Sequence, residues 1–376
     1  MHTGRSDAAL RARTRRGARI ARSGSDQDAG FQVGADFERF NQADDVFSRS
    51  RTDGELRDDK ADRFYSTYRR PLANWRAAKG FRQLDYAFRN ATWHVADVFA
   101  EMYEHADRRD GFLDPLSMLR GGAEERVDCG TPTQASKLIK HAASTAGADL
   151  VGVAAYDERW TYTQRFSQAT AAGKANPLPP EVNKVIVIGQ AMDERLIDTS
   201  PSALSGAATG MGYSQDAVVL LTLAQFIRNL GYTAIPSMNG TSVRFGKVFT
   251  DMPLSEDTPI RFGVEEMCNI CNACSKACPS RAIPDTKPTT ELHNKSNITG
   301  IRKWTIDGEK CFSYWSKINS DCSVCVRVCP FTRDYTQRRN RAWLRLADSP
   351  FRRLALRLHD RLGGGKRVQA ETWWPV

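Results

Sequence analysis

The sequence predicts an α+β protein built from several units, and three observations carry that reading. Apolar strand-like runs alternate with helical segments between residues 131 and 255. Eight of the nine cysteines crowd into the stretch Cys268 to Pro330, in two sets that each end in Cys-Pro. Arg-rich segments of low apolar content flank both ends of the 376-residue chain.

The cysteine stretch is the most specific. Cys268, Cys271, Cys274 and Cys278-Pro279 form a C-x2-C-x2-C-x3-C-P run, and Cys311, Cys322, Cys325 and Cys329-Pro330 form the second set. The first run has the bacterial ferredoxin spacing for a 4Fe–4S cluster, in which the fourth Cys crosses to the other cluster. Two cubanes follow. Cys268, Cys271, Cys274 and Cys329 hold one; Cys278, Cys311, Cys322 and Cys325 hold the other. The C-x2-C turns aim neighbouring sulfurs at a common centre, and Pro279 and Pro330 stop the chain beyond each last ligand. Structural zinc favours paired ligands at finger or ribbon spacing, often with His, and no His lies between Cys268 and Cys278. Disulfides suit small secreted domains rather than cysteines packed into one stretch of a long chain. Cys129 stands apart and reads as an inert small residue.

A hydrophobic content of 41% supports a real core. The net charge of +10, from 54 Lys and Arg against 44 Asp and Glu, is largely terminal. Without an aromatic-rich basic motif, no nucleic-acid partner is expected. Arg15-Arg16 resembles half of a twin-arginine export signal, but charge stands where the apolar segment should follow. The longest apolar run, Ala217 to Ile227, is too short to span a bilayer. A cytoplasmic protein is expected, with export to the membrane face as the alternative if the true N-terminus carries a twin-arginine signal.

In chain order, residues 1–60 read as a basic arm without regular structure, with Phe31, Phe37, Phe40 and Phe47 as anchors. Residues 61–130 form a helical N-terminal region, in which Trp75, Phe81, Phe88, Trp93 and Phe99 read as core. Residues 131–255 are the α/β core. Thr133 is the expected N-cap of a helix to Ala146, with strands at 149–155 and 184–189. Ser205 to Gly212 reads as a small-residue loop. Ser214 then caps a helix ending at Asn229, with Gly231 closing it. Short strands follow at Thr233 to Pro236 and Arg244 to Thr250. Residues 256–340 hold the two-cluster ferredoxin-like domain, and 341–376 a basic amphipathic tail with helices at 342–347 and 351–362.

Several segments together resemble the corrinoid- and iron–sulfur-dependent reductive dehalogenases. They are Gly212-Tyr213-Ser214, Phe226 to Pro236, Val243 to Leu254, Phe262-Gly-Val, the two cysteine sets, and Trp304 through Trp315. The likeness is close from about residue 131 to 335. It implies a nitroreductase-like α/β core that binds a corrinoid (cobalamin), joined to the bacterial-ferredoxin-like two-cluster 4Fe–4S domain. It implies electron flow from outer cluster to inner cluster to cobalt, and cleavage of a carbon–halogen bond in a small organohalide. By the same resemblance Tyr213 matches the proton donor, Arg244 the basic residue beside it, and Thr209, Asn239 and Trp315 the walls of the pocket. A low-potential ferredoxin or flavodoxin is the implied donor, and membrane association would come through a partner subunit.

The residue chemistry fits. A phenol titrates near ~10, so it holds its proton at neutral pH, and a nearby guanidinium makes it a better acid. Cubane potentials reach roughly −700 mV, low enough to drive cobalt to its most reduced state. In one respect the chain departs from the family: Gly240-Thr-Ser-Val243 alone separates Asn239 from Arg244, where relatives carry a long Gly-rich segment that helps hold the corrinoid. Two alternatives follow: a two-cluster electron-transfer protein that has lost corrinoid catalysis, or a corrinoid enzyme like the epoxyqueuosine reductases. That second family uses an acidic proton donor, so Tyr213 argues against it.

Overall fold

A computed structural model describes residues 31–68, 78–106, 122–167, 171–175, 177–237, 244–259 and 261–375. The reading of residues 1–60 as an unstructured arm is corrected from residue 31 onward; residues 1–30 lie outside the described ones. Phe31 and Phe37 pack on Trp160 at 5.3 and 5.7 Å, and Phe40 on Tyr162 at 6.1 Å. Helix α1 (Val46–Thr52) follows, capped by the Asp45 side chain. Its buried Arg49 pairs with Asp53 at 2.9 Å and also with Glu309 of the cysteine-rich half. These aromatic and ionic anchors offset the low apolar content that suggested disorder.

Helix α2 (Asp59–Ser66) is capped by Asp58 and buries Phe64. Helix α3 (Gln83–Ala106) is the long helix of the N-terminal region. Helix α4 (Pro132–Thr145) is capped at Thr131, two residues before its expected cap. Thr131 and Gln134 form a reciprocal capping box there, and Pro132 takes the first turn, where no N–H is needed.

Strands β1 (Leu150–Ala155), β4 (Lys184–Gln190), β5 (Ala234–Ser237) and β6 (Arg244–Thr250) make one antiparallel sheet in the order β1-β4-β6-β5. Strands β2 (Gln164–Ser167) and β3 (Ala172–Ala175) form a separate hairpin. Register places Val153 opposite Ile186 and Ile186 opposite Val248. Strand alternation sends Val151, Val153, Ile186, Ile188 and Val248 into one core with Ile139 of α4. Each such buried side chain contributes about 1.5–3 kcal/mol.

The short helix α5 (Glu194–Ile197) precedes α6 (Ala203–Asn229), and here the expectation fails most clearly. Residues 205–212 are not a loop but the first turns of α6, capped by Ser202, whose Oγ accepts the Ser205 N–H at 3.0 Å. Gly206 and Gly210 carry a helix-propensity cost, but they let α3 pack against α6. A Cβ at Gly210 would come within 2.6 Å of Trp93 Cδ1, and one at Gly206 within 2.8 Å of Arg89 Cδ. Ser214 is therefore interior. Its Oγ donates to the Thr92 carbonyl at 2.6 Å and accepts the Ala96 N–H at 3.2 Å, tying the two helices together. Helix α6 ends as expected at Asn229, with Gly231 at φ +81°. Leu220, Leu223 and Ile227 of α6 join the sheet core.

The cysteine-rich half contains α7 (Val264–Cys271), α8 (Ala273–Ala277), α9 (Gly308–Ile318) and α10 (Val324–Arg327). Helices α11 (Arg338–Ala347) and α12 (Arg352–Arg361) pack on α7 through Met267, Trp343, Ala347 and Ala355. The chain then returns to the N-terminal region: Trp373 packs tilted and Trp374 edge-on against Phe88 at 5.1 and 5.7 Å, and Trp374 Nε1 donates to Asp85 at 2.8 Å. Among the described residues no helix is long and apolar enough to cross a membrane.

Candidate redox and catalytic site

The cysteines fall into two groups by the charges they feel. Cys268 feels the charges of Cys329, Cys274 and Cys271; Cys311 feels those of Cys325, Cys322 and Cys278. Asn272, at φ +50° between α7 and α8, turns the chain so that Cys271 and Cys274 serve one centre. Cys325 also senses Cys274, and α8 packs on α10, so the two sets are neighbours.

Burial, and then the neighbouring thiols, push Cys268 and Cys325 up to about 11 and Cys311 up to about 12. Four thiolates this close need positive charge among them. Two sets of four half-buried, mutually repelling thiols with no His among them fit iron–sulfur clusters better than zinc. All eight are free of disulfides. Cys278 differs. Burial raises its pKa, but the Ser280 hydroxyl at 3.4 Å and the Ala282 N–H at 3.3 Å outweigh that and lower it.

The Cys278/311/322/325 set is strapped to the start of α6. The Ser323 N–H donates to Ser200 Oγ at 2.9 Å, and Ser320 Oγ donates to the Ser202 carbonyl at 3.4 Å. Asp321, beside Cys322, accepts the Tyr68 hydroxyl. The fully buried Arg89 lies over the Tyr68 ring at 3.9 Å and within 4.0 Å of Asp321. The other set lies beneath α11 and α12, where Cys271 packs against their apolar core and senses Asp360. It is the outer of the two sets.

Tyr213 lies on α6, roughly 16 Å along the helix axis from Ser202. Its ring stacks on Trp93 at 4.9 Å, and Trp93 meets Tyr68 edge-on at 5.8 Å. An aromatic path thus leads from the inner set to Tyr213. Tyr162 is near enough to feel Tyr213: burial first, then the charges of Asp45 and Tyr213, push it up to about 12.

Arg244 begins β6, opposite Gln190 at the end of β4. Leu220 of α6 lies over Gly246. From that contact β6 runs roughly 7 Å to Arg244, and α6 runs roughly 10 Å back to Tyr213. Because β5 leaves the far end of α6 and pairs Ala234 with Thr250, Arg244 and Tyr213 share one end of the layer. Thr209 is buried one turn before Tyr213. Trp315 is on α9, packed on Phe47 at 5.5 Å and Phe64 at 6.2 Å. Asn239, with residues 238–243, lies outside the described residues. Within those described, Trp93 Nε1, Trp315 Nε1 and Gln190 Nε2 are buried without a hydrogen-bond partner. Such donors cost free energy unless a ligand satisfies them. Gln190, Tyr68, Tyr162 and Asp321 carry no motif, and only the adjacency of Asp321 to Cys322 hinted at a role.

Residues 267–332 match the family model described as a 4Fe-4S double cluster binding domain. The chain is 34% identical over 305 residues to a tetrachloroethene reductive dehalogenase of Sulfurospirillum multivorans, covering 65% of this chain and 60% of that protein. It is 33% identical over 287 residues to the Desulfitobacterium hafniense protein of the same name, covering 59% and 52%. It is 29% identical over 105 residues to an epoxyqueuosine reductase of Aliivibrio fischeri, covering 24% and 23%. The chain thus spans about 60% or less of these relatives' lengths. Among solved structures, the catabolic reductive dehalogenase NpRdhA in complex with 3-bromo-4-hydroxybenzoic acid superposes with a TM-score of 0.69 at 19% identity, covering 94% of this chain and 50% of that one. A structure described as suggesting a mechanism for B12-dependent dehalogenation gives 0.67 at 19%, covering 95% and 50%. The α+β fold is therefore the reductive dehalogenase fold.

Proposed function

We propose that this chain, a relative of the corrinoid- and iron–sulfur-dependent reductive dehalogenases, removes halogen from a small organohalide. The net reaction consumes two electrons and one proton, replaces a carbon–halogen bond with carbon–hydrogen, and releases halide. The observation that carries this reading is the strap from Ser320 and Ser323 to the start of α6. It joins a double-cluster domain to the helix that bears Tyr213.

Cys268, Cys271, Cys274 and Cys329 would hold the entry cluster, and Cys278, Cys311, Cys322 and Cys325 the inner one. A bound corrinoid would supply the reduced cobalt that breaks the carbon–halogen bond. The orphaned donors Trp93 Nε1, whose ring stacks on Tyr213, and Gln190 Nε2, on the residue paired with Arg244, fit a polar cofactor or ligand at that site. Thr209 and Trp315 would wall the pocket. Tyr213, held in plane by Trp93, would keep its proton at neutral pH and deliver it from the hydroxyl to carbon. Arg244, by resemblance, would stabilise the phenolate left behind. The proposed setting is cytoplasmic, with a low-potential ferredoxin or flavodoxin as donor.

The four residues between Asn239 and Arg244 favour one second reading, a two-cluster electron carrier without corrinoid. Anaerobic reconstitution with iron, sulfide and cobalamin, followed by a metal count per chain, separates the two. Cobalt bound at one per chain, with halide release under a low-potential reductant, supports the dehalogenase. Iron without cobalt leaves the carrier, and zinc in place of iron ends both readings.

A further inference from the structure

On α12 and its two cap residues four large apolar side chains are exposed: Phe351, the N-cap, at 68%, Leu354 at 49%, Leu358 at 37% and Leu362, the C-cap, at 81%. At 3.6 residues per turn they fall within about 80° of arc and form one ridge. Ala355 and His359 are buried and Leu356 packs in the same core as Ala355, so the face bordering the ridge, and not the ridge itself, holds α12 to the protein. Arg353, Arg357 and Arg361 are exposed along the flank away from the core, and Asp360 is the only acid on the helix. The neighbouring α11 turns Arg338 and Arg345 outward.

We propose that this ridge docks on the surface of an anionic bilayer, laying α12 in the headgroup plane. The combination fits an interfacial helix: an outward apolar stripe with arginines beside it, whose long stems let the charge reach phosphate while the aliphatic part stays low. An acidic protein partner would match the charge too, but small redox interfaces are polar and transient. A convex line of Phe and three Leu suits acyl chains better than a pocketed protein surface. The placement has a consequence for electron entry. Trp343 of α11 donates its indole N–H to the Ala355 carbonyl at 2.8 Å, and both residues pack in the cluster that includes Met267 and Cys271. The outer cysteine set therefore lies directly beneath the docked helices, next to the lipid surface. This inference is independent of dehalogenation, since lipid binding is read without turnover.

The test is co-sedimentation of the cluster-loaded protein with vesicles of neutral phosphatidylcholine, and of phosphatidylcholine mixed with phosphatidylglycerol. Binding is expected to the mixed vesicles only, and to weaken as salt rises. The double variant Leu358→Glu/Leu362→Glu should cut partitioning by about tenfold or more. The triple variant Arg353→Gln/Arg357→Gln/Arg361→Gln should remove the preference for anionic lipid. Unchanged iron content and circular dichroism check that each variant folds. No binding to anionic vesicles, or equal binding by both variants, overturns the proposal. So does a vesicle-free dimer that the Glu variant dissociates, or an acidic redox protein that binds the ridge where vesicles do not.

Discussion

Tyr213 shows how little a residue's identity says until its neighbours are known. In sequence it is one of ten tyrosines; in space it stacks on Trp93, with Tyr162 beside it. Tyr213→Phe keeps the stack and deletes the hydroxyl. We expect turnover to be lost with iron and cobalt contents unchanged, checked by halide release and metal analysis; full activity would take Tyr213 out of the proton-donor role. Gly210 makes the complementary case. Gly210→Ala places a Cβ 2.6 Å from Trp93 Cδ1, and α3 must yield. The expected cost is about 1–3 kcal/mol of stability, read by denaturant unfolding of the cluster-loaded protein, with a weakened Tyr213–Trp93 stack reported by indole fluorescence.

Among the elements, α6 has the most functions. Its first turn is strapped to the inner cysteine set, its middle carries Thr209 and Tyr213, and its last turns fill the sheet core. Its register against α3 rests on packing at Gly206 and Gly210 and on two hydrogen bonds through one hydroxyl. Ser214→Ala removes both bonds, leaving the Ala96 N–H to the helix and one Thr92 carbonyl lone pair unused. We expect a loss of about 1–2 kcal/mol and a lower kcat with an unchanged KM, because the helix bearing the acid is loosened rather than the binding surface. An equal fall in apparent affinity would contradict that division.

Over the whole molecule, the sheet layer and the cysteine-rich half are stabilised differently. The sheet core is apolar and self-sufficient, whereas α7, α8 and α10 are short helices organised around thiols that repel one another. Removing iron should therefore expose residues 261–335 to protease while the fragment holding β1, β4, β5 and β6 persists; simultaneous loss of both would show a single cooperative unit. Cys271→Ala should lower iron from about eight to about four per chain and abolish reduction by an external donor. The inner set, held by Cys278, Cys311, Cys322 and Cys325, should remain reducible only by small molecules.

Much of this was legible in advance, and the successes share a cause. Cysteine spacing, the strand runs at 184–189 and 244–250, and the Gly231 helix stop are local signals, because a cluster ligand set, an alternating strand and a left-handed residue each impose their pattern on adjacent positions. The failures were nonlocal. Ser205 to Gly212 reads as loop because small residues are poor helix formers alone, and only the approach of α3 turns that deficit into a packing surface. Residues 31–60 read as disordered because their anchors, Trp160, Phe312 and Glu309, lie more than a hundred positions away. The sequence by itself thus determined the double-cluster domain and the α+β class. The tertiary structure alone decided that Tyr213 sits inside a helix against Trp93, and that the Leu ridge of α12 faces solvent, since both depend on which surfaces distant segments cover.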